Sequence, residues 1–160
     1  VSNQPSYSAI YRVIEAKIVP LCEREGISQI VYSPLAQGVL TGKYLPGKKA
    51  PAGSRATDKK GGANMISGFM KDEILEKVQK LIPIAAKVDL SPAQLAIAWV
   101  LQNPNVSSAI IGATKPSQIK ENVKASGVKL DKSIMDEIDS VLTGVVTTDP
   151  SKTVSPKPRA

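Results

Sequence analysis

Two short apolar runs, at 27–33 and 106–111, constrain the fold of this chain most strongly. Both are rich in β-branched residues and are bounded by glycine or proline. Runs of this kind are typical of strands buried in a parallel sheet. Helical patterns lie between and after them, and strands that alternate with helices predict a parallel α/β sheet. A third strand is predicted to end within residues 1–7.

The spacing of apolar residues predicts the helices. The first regular helix begins just before Pro20 and ends at Gly26, because proline is tolerated in a first turn and glycine often follows a helix. Ser91 and Gln94 have the spacing of a capping box. The other helices are predicted over 72–87, from Ser91 to about Gln102, from Pro116 to about Ala125 and from Asp131. The residues of 72–87 predicted to face the core are Ile74, Leu75, Val78, Leu81, Ile82 and Ala85.

The predicted sheet is too small to be complete, because three parallel strands leave two unpaired edges. The start, Val1-Ser2-Asn3, has neither Met nor a basic segment, which argues against a signal peptide and against a natural amino terminus. Residues 144–160 form a polar, proline-rich tail that is expected to be poorly ordered. A single cysteine fits a cytoplasmic location, and no apolar run approaches the ~20 residues of a membrane helix.

A long stretch without regular periodicity, at 34–68, holds much of the positive charge of a chain whose net charge is +7. Its basic residues are Lys43, Lys48, Lys49, Arg55, Lys59 and Lys60. A basic loop suits a ligand that carries phosphate, but a solvated mobile loop fits the composition equally well. Nucleic acid is disfavoured because Tyr44 is the only aromatic residue available for base stacking there.

Several kinds of chemistry are excluded by composition. The chain contains no histidine and one cysteine, so zinc sites and Ser-His-Asp or Cys-His catalysis are not expected. Gly38 to Lys43 is one residue too short for a Walker A motif, and Tyr44 stands where Ser or Thr would hold magnesium. Cys22 and Trp99 lie among apolar helical positions and are predicted to belong to the core.

Polar residues follow each predicted strand, where α/β proteins bind ligands. They form three junctions: Asn3-Gln4 with Tyr7, the segment 32–44, and the segment 112–122. After the third strand, a glycine turn and a helix start would offer N–H groups to an anion. The residues alone fit an ordinary capped helix with a polar surface better. Tyr32 fits either a stacking platform or a half-buried tyrosine.

Two of these segments resemble those of the aldo-keto reductases. Residues 30–44 read IVYSPLAQGVLTGKY and resemble the seventh-strand segment; residues 110–122 read IIGATKPSQIKEN and resemble the eighth. The likeness is greatest to the branch that includes potassium-channel β-subunits and their bacterial and plant relatives. The resemblance implies an α/β fold, namely the carboxy-terminal part (strands 6–8 and their helices) of a (β/α)8 TIM barrel. A partial barrel over 1–143 would precede the tail at 144–160.

The resemblance also implies that the chain binds NADPH, with roles for individual residues. Tyr32 would stack on the nicotinamide ring, and Gln4 would hold its carboxamide. The pyrophosphate path would be lined by Ser33, Pro34, Leu35, Gln37 and Gly38, with Lys43 and Arg55 binding its charge. The 2′-phosphate would lie by Gly112, Thr114 and Gln118, and the adenine by Glu121 and Asn122. Other branches carry Arg at the position of Gln118, and Lys115 could substitute for that charge.

The function implied by the resemblance is NADPH-dependent reduction of aldehydes or ketones. The family's catalytic Asp, Tyr, Lys and His come from the second to fourth strands, which would precede Val1. No catalytic residue and no metal ligand is therefore assigned, and the isolated chain is expected to be inactive. The expected partners are a small carbonyl substrate and either a second copy or a complementary amino-terminal half, with no nucleic acid and no membrane. The alternatives are a cofactor-sensing regulatory subunit and a half-barrel that needs a second chain.

Overall fold

Three parallel strands form the sheet of the computed structural model, which describes residues 1–153. The strands are β1 (Ser2–Asn3), β2 (Ser28–Tyr32) and β3 (Val106–Ile110), in the order β1-β2-β3. Both neighbouring pairs are parallel. The predicted parallel α/β arrangement is confirmed.

Six α-helices connect and cover these strands in the described part of the chain. They are α1 (Ile18–Arg24), α2 (Gly62–Ile66), α3 (Asp72–Lys87), α4 (Pro92–Leu101), α5 (Pro116–Asn122) and α6 (Lys132–Leu142). The predicted capping box of α4 is present, since Ser91 Oγ accepts from Gln94 N at 3.2 Å and Gln94 Oε1 accepts from Ser91 N at 2.8 Å. Gly26 follows α1 with a φ of 66°, a conformation that glycine adopts without strain.

The stretch at 34–68 is less irregular than its sequence suggests. It contains 3₁₀ turns at Ala36–Thr41 and Arg55–Thr57, as well as the short helix α2. Gln79 of α3 donates from Nε2 to the backbone oxygens of Gly42 and Tyr44, at 3.0 and 3.1 Å. Hydrogen bonds from helix α3 therefore hold this stretch against the helices.

Helices α1 and α4 pack against the sheet, and the core extends from there through the packing of α3 against α4 and α6. Val31 at the centre of β2 is fully buried, and Trp99 and Cys22 are buried as predicted. The prediction for Ile82 was wrong, because its side chain is exposed and the neighbouring Ile84 is buried instead. Ile82 lies against Gly42, which has no side chain to cover it.

Strand β3 is not the buried strand that its apolar sequence predicts. Ser107, Ser108 and Ile110 are exposed. Within residues 1–153, β3 pairs only with β2, so its outer edge has no neighbour. Within residues 1–153, helices therefore cover β3 on one face only.

Residues 144–153 are ordered against the body, in contrast to the expectation for the tail. Thr147 N donates to Ile10 O at 3.0 Å, and Arg12 N donates to Thr147 O at 2.7 Å. Val145 and Val146 pack against the core. Apolar residues within the polar tail account for this. The remainder of the predicted tail, 154–160, lies outside the described residues.

Among the helices of residues 1–153, none alone is long and apolar enough to cross a membrane; α3 and α4, bent by 83°, meet that criterion only as a pair.

Candidate functional site

The three predicted junctions meet at one edge of the sheet. Tyr32 pairs with Ile110 in register, so the loops after β2 and β3 leave the sheet side by side. The segment after β1 joins them, because Tyr32 N donates to Pro5 O at 2.9 Å. Gln4 lies in this segment and is exposed. Parallel strands place their carboxyl ends together, which is why the sequence could predict this gathering.

Tyr32 presents a partly open aromatic side chain at this edge. Its side chain is 44% exposed, and that of its strand partner Ile110 is 42% exposed. Side chains paired in register project from the same face of a sheet. Tyr32 and Ile110 therefore provide a flat apolar platform beside the two loops.

Tyr7, which the sequence placed in the first junction, does not join this platform. Its side chain is buried, and Tyr7 Oη donates to Glu15 Oε1 at 2.6 Å. Burial, and then the hydrogen bond to Glu15, raise the pKa of Tyr7 well above its usual value. Its ring packs on Trp99 beside a separate cleft of about 450 Å³.

The loop after β2 has an unusual backbone. Three residues other than glycine have left-handed conformations: Ser33 (φ 58°), Ala36 (φ 46°) and Gln37 (φ 60°), followed by Gly38 (φ 98°). Each such residue costs roughly 1–2 kcal/mol, so this shape must be held by other contacts. Two are backbone hydrogen bonds of 2.9 Å, from Ala36 N to Ser33 O and from Gly38 N to Leu35 O.

Two other residues of this loop that were predicted to contact the cofactor pack into the hydrophobic core instead. Pro34 is buried, and Leu35 packs against the hydrophobic cluster. Their side chains anchor the loop, which leaves their backbone atoms as the groups available to a ligand. The sequence prediction did not distinguish residues whose side chains anchor the loop from residues whose side chains are available to a ligand.

A chain of side-chain hydrogen bonds crosses the loop from Arg55 to Ser33. Arg55 Nη1 donates to Gln37 Oε1, and Gln37 Nε2 donates to Ser33 Oγ at 2.7 Å. These bonds join residues that are 22 positions apart in sequence. The structure thus brings together three of the residues predicted to lie on the pyrophosphate path.

Lys43 completes this cluster. A Cβ placed on Gly38 would lie 3.3 Å from Lys43 Nζ, so the ammonium group rests directly on the glycine. The same Nζ lies 5.2 Å from the ring centroid of Tyr44. Because Gly38 lacks a side chain, the lysine can fold over the loop instead of extending away from it.

The turn that carries Arg55 depends on Asp58, which the sequence reasoning missed. Asp58 N donates to Arg55 O at 3.1 Å, and Asp58 Oδ1 and Oδ2 accept from Lys60 N at 2.9 Å and from Gly62 N at 3.3 Å. An aspartate followed by paired glycines is a common turn signal and could have identified it.

The positive charge of the stretch at 34–68 is not neutralised by ion pairs within the described residues. Across residues 1–153, no ion pair includes any of the basic residues of the stretch at 34–68. Those residues are Lys43, Lys48, Lys49, Arg55, Lys59 and Lys60, all exposed. Unpaired cations beside an open platform produce a positive potential that attracts an anion.

The loop after β3 has the capped helix start that its residues alone favoured, and not the open anion site. Gln118 Oε1 accepts from Thr114 N at 2.7 Å and from Lys115 N at 3.2 Å. The expectation of free N–H groups at this helix start is therefore wrong for these two residues, because the glutamine side chain turns back onto them. Glu121 is paired with Lys124 at 2.9 Å, and Asn122 is largely buried.

Gly112, also predicted here, lies in the exposed segment that leads into α5. A metal site is not found either: in the part of the chain that the structure describes, no group of three or more His, Cys, Asp or Glu residues could hold an ion.

Comparisons with known proteins agree with the resemblance seen in the sequence. The model of the aldo/keto reductase family matches residues 1–143. A probable voltage-gated potassium channel subunit beta of Oryza sativa subsp. japonica is 43% identical over 145 residues, covering 89% of this chain and 44% of that protein. The NADH-specific methylglyoxal reductase of Escherichia coli (strain K12) is 35% identical over 149 residues, covering 87% of this chain and 42% of that protein.

The fold agrees as well. A glycerol dehydrogenase from Gluconobacter oxydans superposes with a TM-score of 0.71 at 26% identity, covering 99% of this chain and 46% of that structure. The chain thus spans less than half the length of the relatives it matches. Its three parallel strands and their helices are part of a TIM barrel.

Proposed function

The chain belongs to the aldo/keto reductase family, and on that premise we propose that it forms the dinucleotide-binding part of a carbonyl oxidoreductase. Relatives named as a methylglyoxal reductase and a glycerol dehydrogenase support an oxidoreductase. The observation that carries the proposal is the cluster of Lys43, Gln37 and Arg55 beside the platform of Tyr32. Within the barrel, residues 1–143 would supply strands 6–8 and their helices.

The residues at this edge fit a nicotinamide dinucleotide. Such a cofactor has a flat ring at one end and negatively charged phosphates further along. The half-exposed ring of Tyr32 can stack on the nicotinamide, and the exposed Gln4, which follows the neighbouring strand, is proposed to hold its carboxamide. Lys43 and Arg55, which no carboxylate neutralises in the described residues, can pair with phosphate oxygens.

In the proposed mechanism this chain positions the cofactor. The bound dinucleotide would supply the hydride that reduces the carbonyl carbon. Tyr32 would fix the plane of the ring, and the loop after β2 would hold the phosphates through Lys43 and Arg55. The proton for the carbonyl oxygen would come from the family's tyrosine, which the resemblance assigns to strands preceding Val1. Residues 1–160 alone are therefore proposed to reduce no carbonyl.

NADPH is the proposed cofactor, although one relative is named as specific for NADH. The loop after β3 is where the two dinucleotides would be distinguished. Lys115 is exposed and, in residues 1–153, takes part in no ion pair. It can supply the charge that other branches obtain from arginine at the position of Gln118, while Gln118 itself holds the turn.

The proposal is tested by titrating the whole protein with NADPH and NADH and following intrinsic fluorescence. We expect saturable binding of NADPH, weaker binding after Tyr32→Ala, and carbonyl-dependent oxidation of NADPH. Arg55→Ala should also weaken binding. The exposed Arg24→Ala variant in α1 is its control for lost positive charge, since within residues 1–153 the ion pair of Arg24 is with its neighbour Glu25. Absence of binding by the wild-type protein would refute the proposal.

A second function is favoured by the potassium channel β-subunit relatives, which are 43% identical. In this alternative, cofactor occupancy regulates a partner, and turnover is incidental. The two functions differ in measurable ways. Tight NADPH binding with negligible turnover of a panel of aldehydes and ketones, together with a stable oligomer, would favour the regulatory subunit. Rapid turnover would favour the reductase.

A further inference from the structure

Gln37 combines a costly backbone conformation with two well-placed side-chain contacts. Its φ of 60° is one that glycine adopts without strain, and the next residue is itself a glycine. Glycine at position 37 would therefore serve the backbone better. The hydrogen bonds of its side chain to Ser33 and Arg55 are contacts that can offset this strain.

The two contacts fix the orientation of the Gln37 amide. Its Nε2 can only donate, and it faces the hydroxyl of Ser33 at 2.7 Å. Its Oε1 can only accept, and it faces the guanidinium of Arg55. Ser33 lies one residue beyond β2, so the amide transmits the position of a rigid strand end to an arginine in a distant turn.

The hydrogen-bond partner of Arg55 is the neutral amide of Gln37, so the positive charge of the guanidinium is not neutralised. A carboxylate in place of the Gln37 amide would hold the guanidinium equally well but would neutralise it. An amide oxygen holds one N–H and leaves the remaining four donors and the whole charge available. Within residues 1–153, the other hydrogen-bond partner of the Arg55 side chain is Met65 Sδ, at 4.0 Å.

We infer that Gln37 is a positioning residue that aims Arg55 at a phosphate group of the dinucleotide while leaving its positive charge free. This inference rests on the proposed function and goes beyond it, because Gln37 acts through Arg55 instead of contacting the cofactor. Removing the Gln37 side chain would leave the charge of Arg55 in place but leave its guanidinium without a fixed position. Replacing Gln37 by glutamate would keep the guanidinium in position but neutralise its charge.

The test is a double-mutant cycle on the whole protein, with NADPH and NADH titrated into each variant. We expect Gln37→Ala to weaken binding by roughly 10-fold and Arg55→Ala by roughly 10-fold to 30-fold. In the Arg55→Ala background, Gln37→Ala should change affinity by less than about 2-fold, because the residue on which it acts is gone. Additive losses would overturn the inference.

Two further variants separate positioning from a structural role. Gln37→Gly relieves the backbone strain, so the protein should unfold at an equal or higher urea concentration and still lose about 10-fold in affinity. Gln37→Glu should be folded and bind more weakly than Gln37→Ala. If Gln37→Glu bound as tightly as the wild type, the argument from charge would be wrong.

The two cofactors identify which phosphate is involved, and NMR provides a readout without cofactor. Equal losses with NADPH and NADH would place Arg55 at the bridging phosphates, whereas losses confined to NADPH would place it at the 2′-phosphate. In the unliganded protein, the Arg55 guanidinium resonances should show hindered rotation that Gln37→Ala removes. If the Arg55 guanidinium showed hindered rotation but the protein bound no dinucleotide, both the proposed function and the role of Arg55 toward phosphate would be refuted. Only the hydrogen bond between Gln37 and Arg55 would then be established.

Discussion

The two loops at the ligand edge of the sheet satisfy their polar groups in opposite ways. In the loop after β2, the cations Lys43 and Arg55 are held by a glycine surface and an amide, and their charges stay unpaired in the described chain. In the loop after β3, Gln118 caps its own turn, and Glu121 is paired with Lys124.

This difference indicates how binding is divided between the loops. Groups that are ordered before a ligand arrives but not neutralised contribute most to affinity, because little is lost in ordering them. Groups that already have partners must give them up, so they contribute less. We therefore expect the loop after β2 to provide most of the affinity, and the loop after β3 to distinguish between cofactors.

The largest effect is expected when both cations of the first loop are removed. Each charge-assisted hydrogen bond contributes about 1.4 kcal/mol or more, so Lys43→Ala with Arg55→Ala should weaken NADPH binding by roughly 100-fold. Fluorescence titration of the whole protein measures this, and the loss should decrease as salt is raised. A loss of only a few-fold would contradict the division between the loops.

Glycines in the two loops allow a matched comparison of stability. Gly38 has a φ of 98° and Lys43 Nζ directly above it, whereas the space around Gly112 is open and its φ is not positive. We expect Gly38→Ala to lower the free energy of unfolding by about 1–2 kcal/mol, and Gly112→Ala to change it by less than about 0.5 kcal/mol. Urea denaturation of the two variants measures both. Equal effects would show that the first loop is not strained.

The scaffold beneath the first loop contains a buried ionisable group. Tyr7 N donates to Tyr32 O at 3.1 Å, and the side chain of Tyr7 has a raised pKa because of its burial and Glu15. The folded state favours the neutral phenol. Its contribution to stability is therefore complete below the ordinary pKa of 10.0 and is lost as the pH rises through the higher folded value.

Because the pKa of Tyr7 is raised in the folded state, the protein is expected to lose stability at alkaline pH, and the loss should depend on Tyr7. Between pH 10 and pH 11 the wild type should lose about 1 kcal/mol more of its free energy of unfolding than Tyr7→Phe does. Urea denaturation at several pH values measures the difference. Glu15→Gln should keep most of the wild-type slope, since burial is the larger cause of the shift. Equal slopes for wild type and Tyr7→Phe would contradict the assignment.

The contrast between the loops also shows what could be predicted from the sequence. Strand β2, helix α3 and the capping box of α4 depend on neighbours close in sequence, and these elements are present as predicted, although Ile82 of α3 is exposed. The gathering of the junctions at one edge follows from parallel strands. The exposure of β3 was not predictable, because burial depends on what lies beside a strand and not on its own residues.

The contacts between distant residues of the site could not be predicted from the sequence for a related reason. Nothing close in sequence predicts that Gln37 reaches Arg55, which lies 18 positions away. This contact depends on a side-chain direction that is set when the loop closes. Gln118 turns back onto Thr114 over only four positions, so that contact belongs to the capped helix start that the residues favoured. The motif indicated which residues gather at this edge, and the contacts among them came only from the structure. Their roles toward a cofactor stay predictions.

The smallest effect is expected at Lys115 in the second loop. It is exposed, and a surface ion pair contributes about 0.5–1 kcal/mol, so Lys115→Ala should weaken NADPH binding by roughly 2-fold to 5-fold. Binding of NADH, which lacks the 2′-phosphate, should not change. Lys120→Ala, in the helix α5 that follows Lys115, is the control for lost charge. If Lys115→Ala weakened both cofactors equally, the second loop would contribute to general affinity, and the proposed division between the loops would fail.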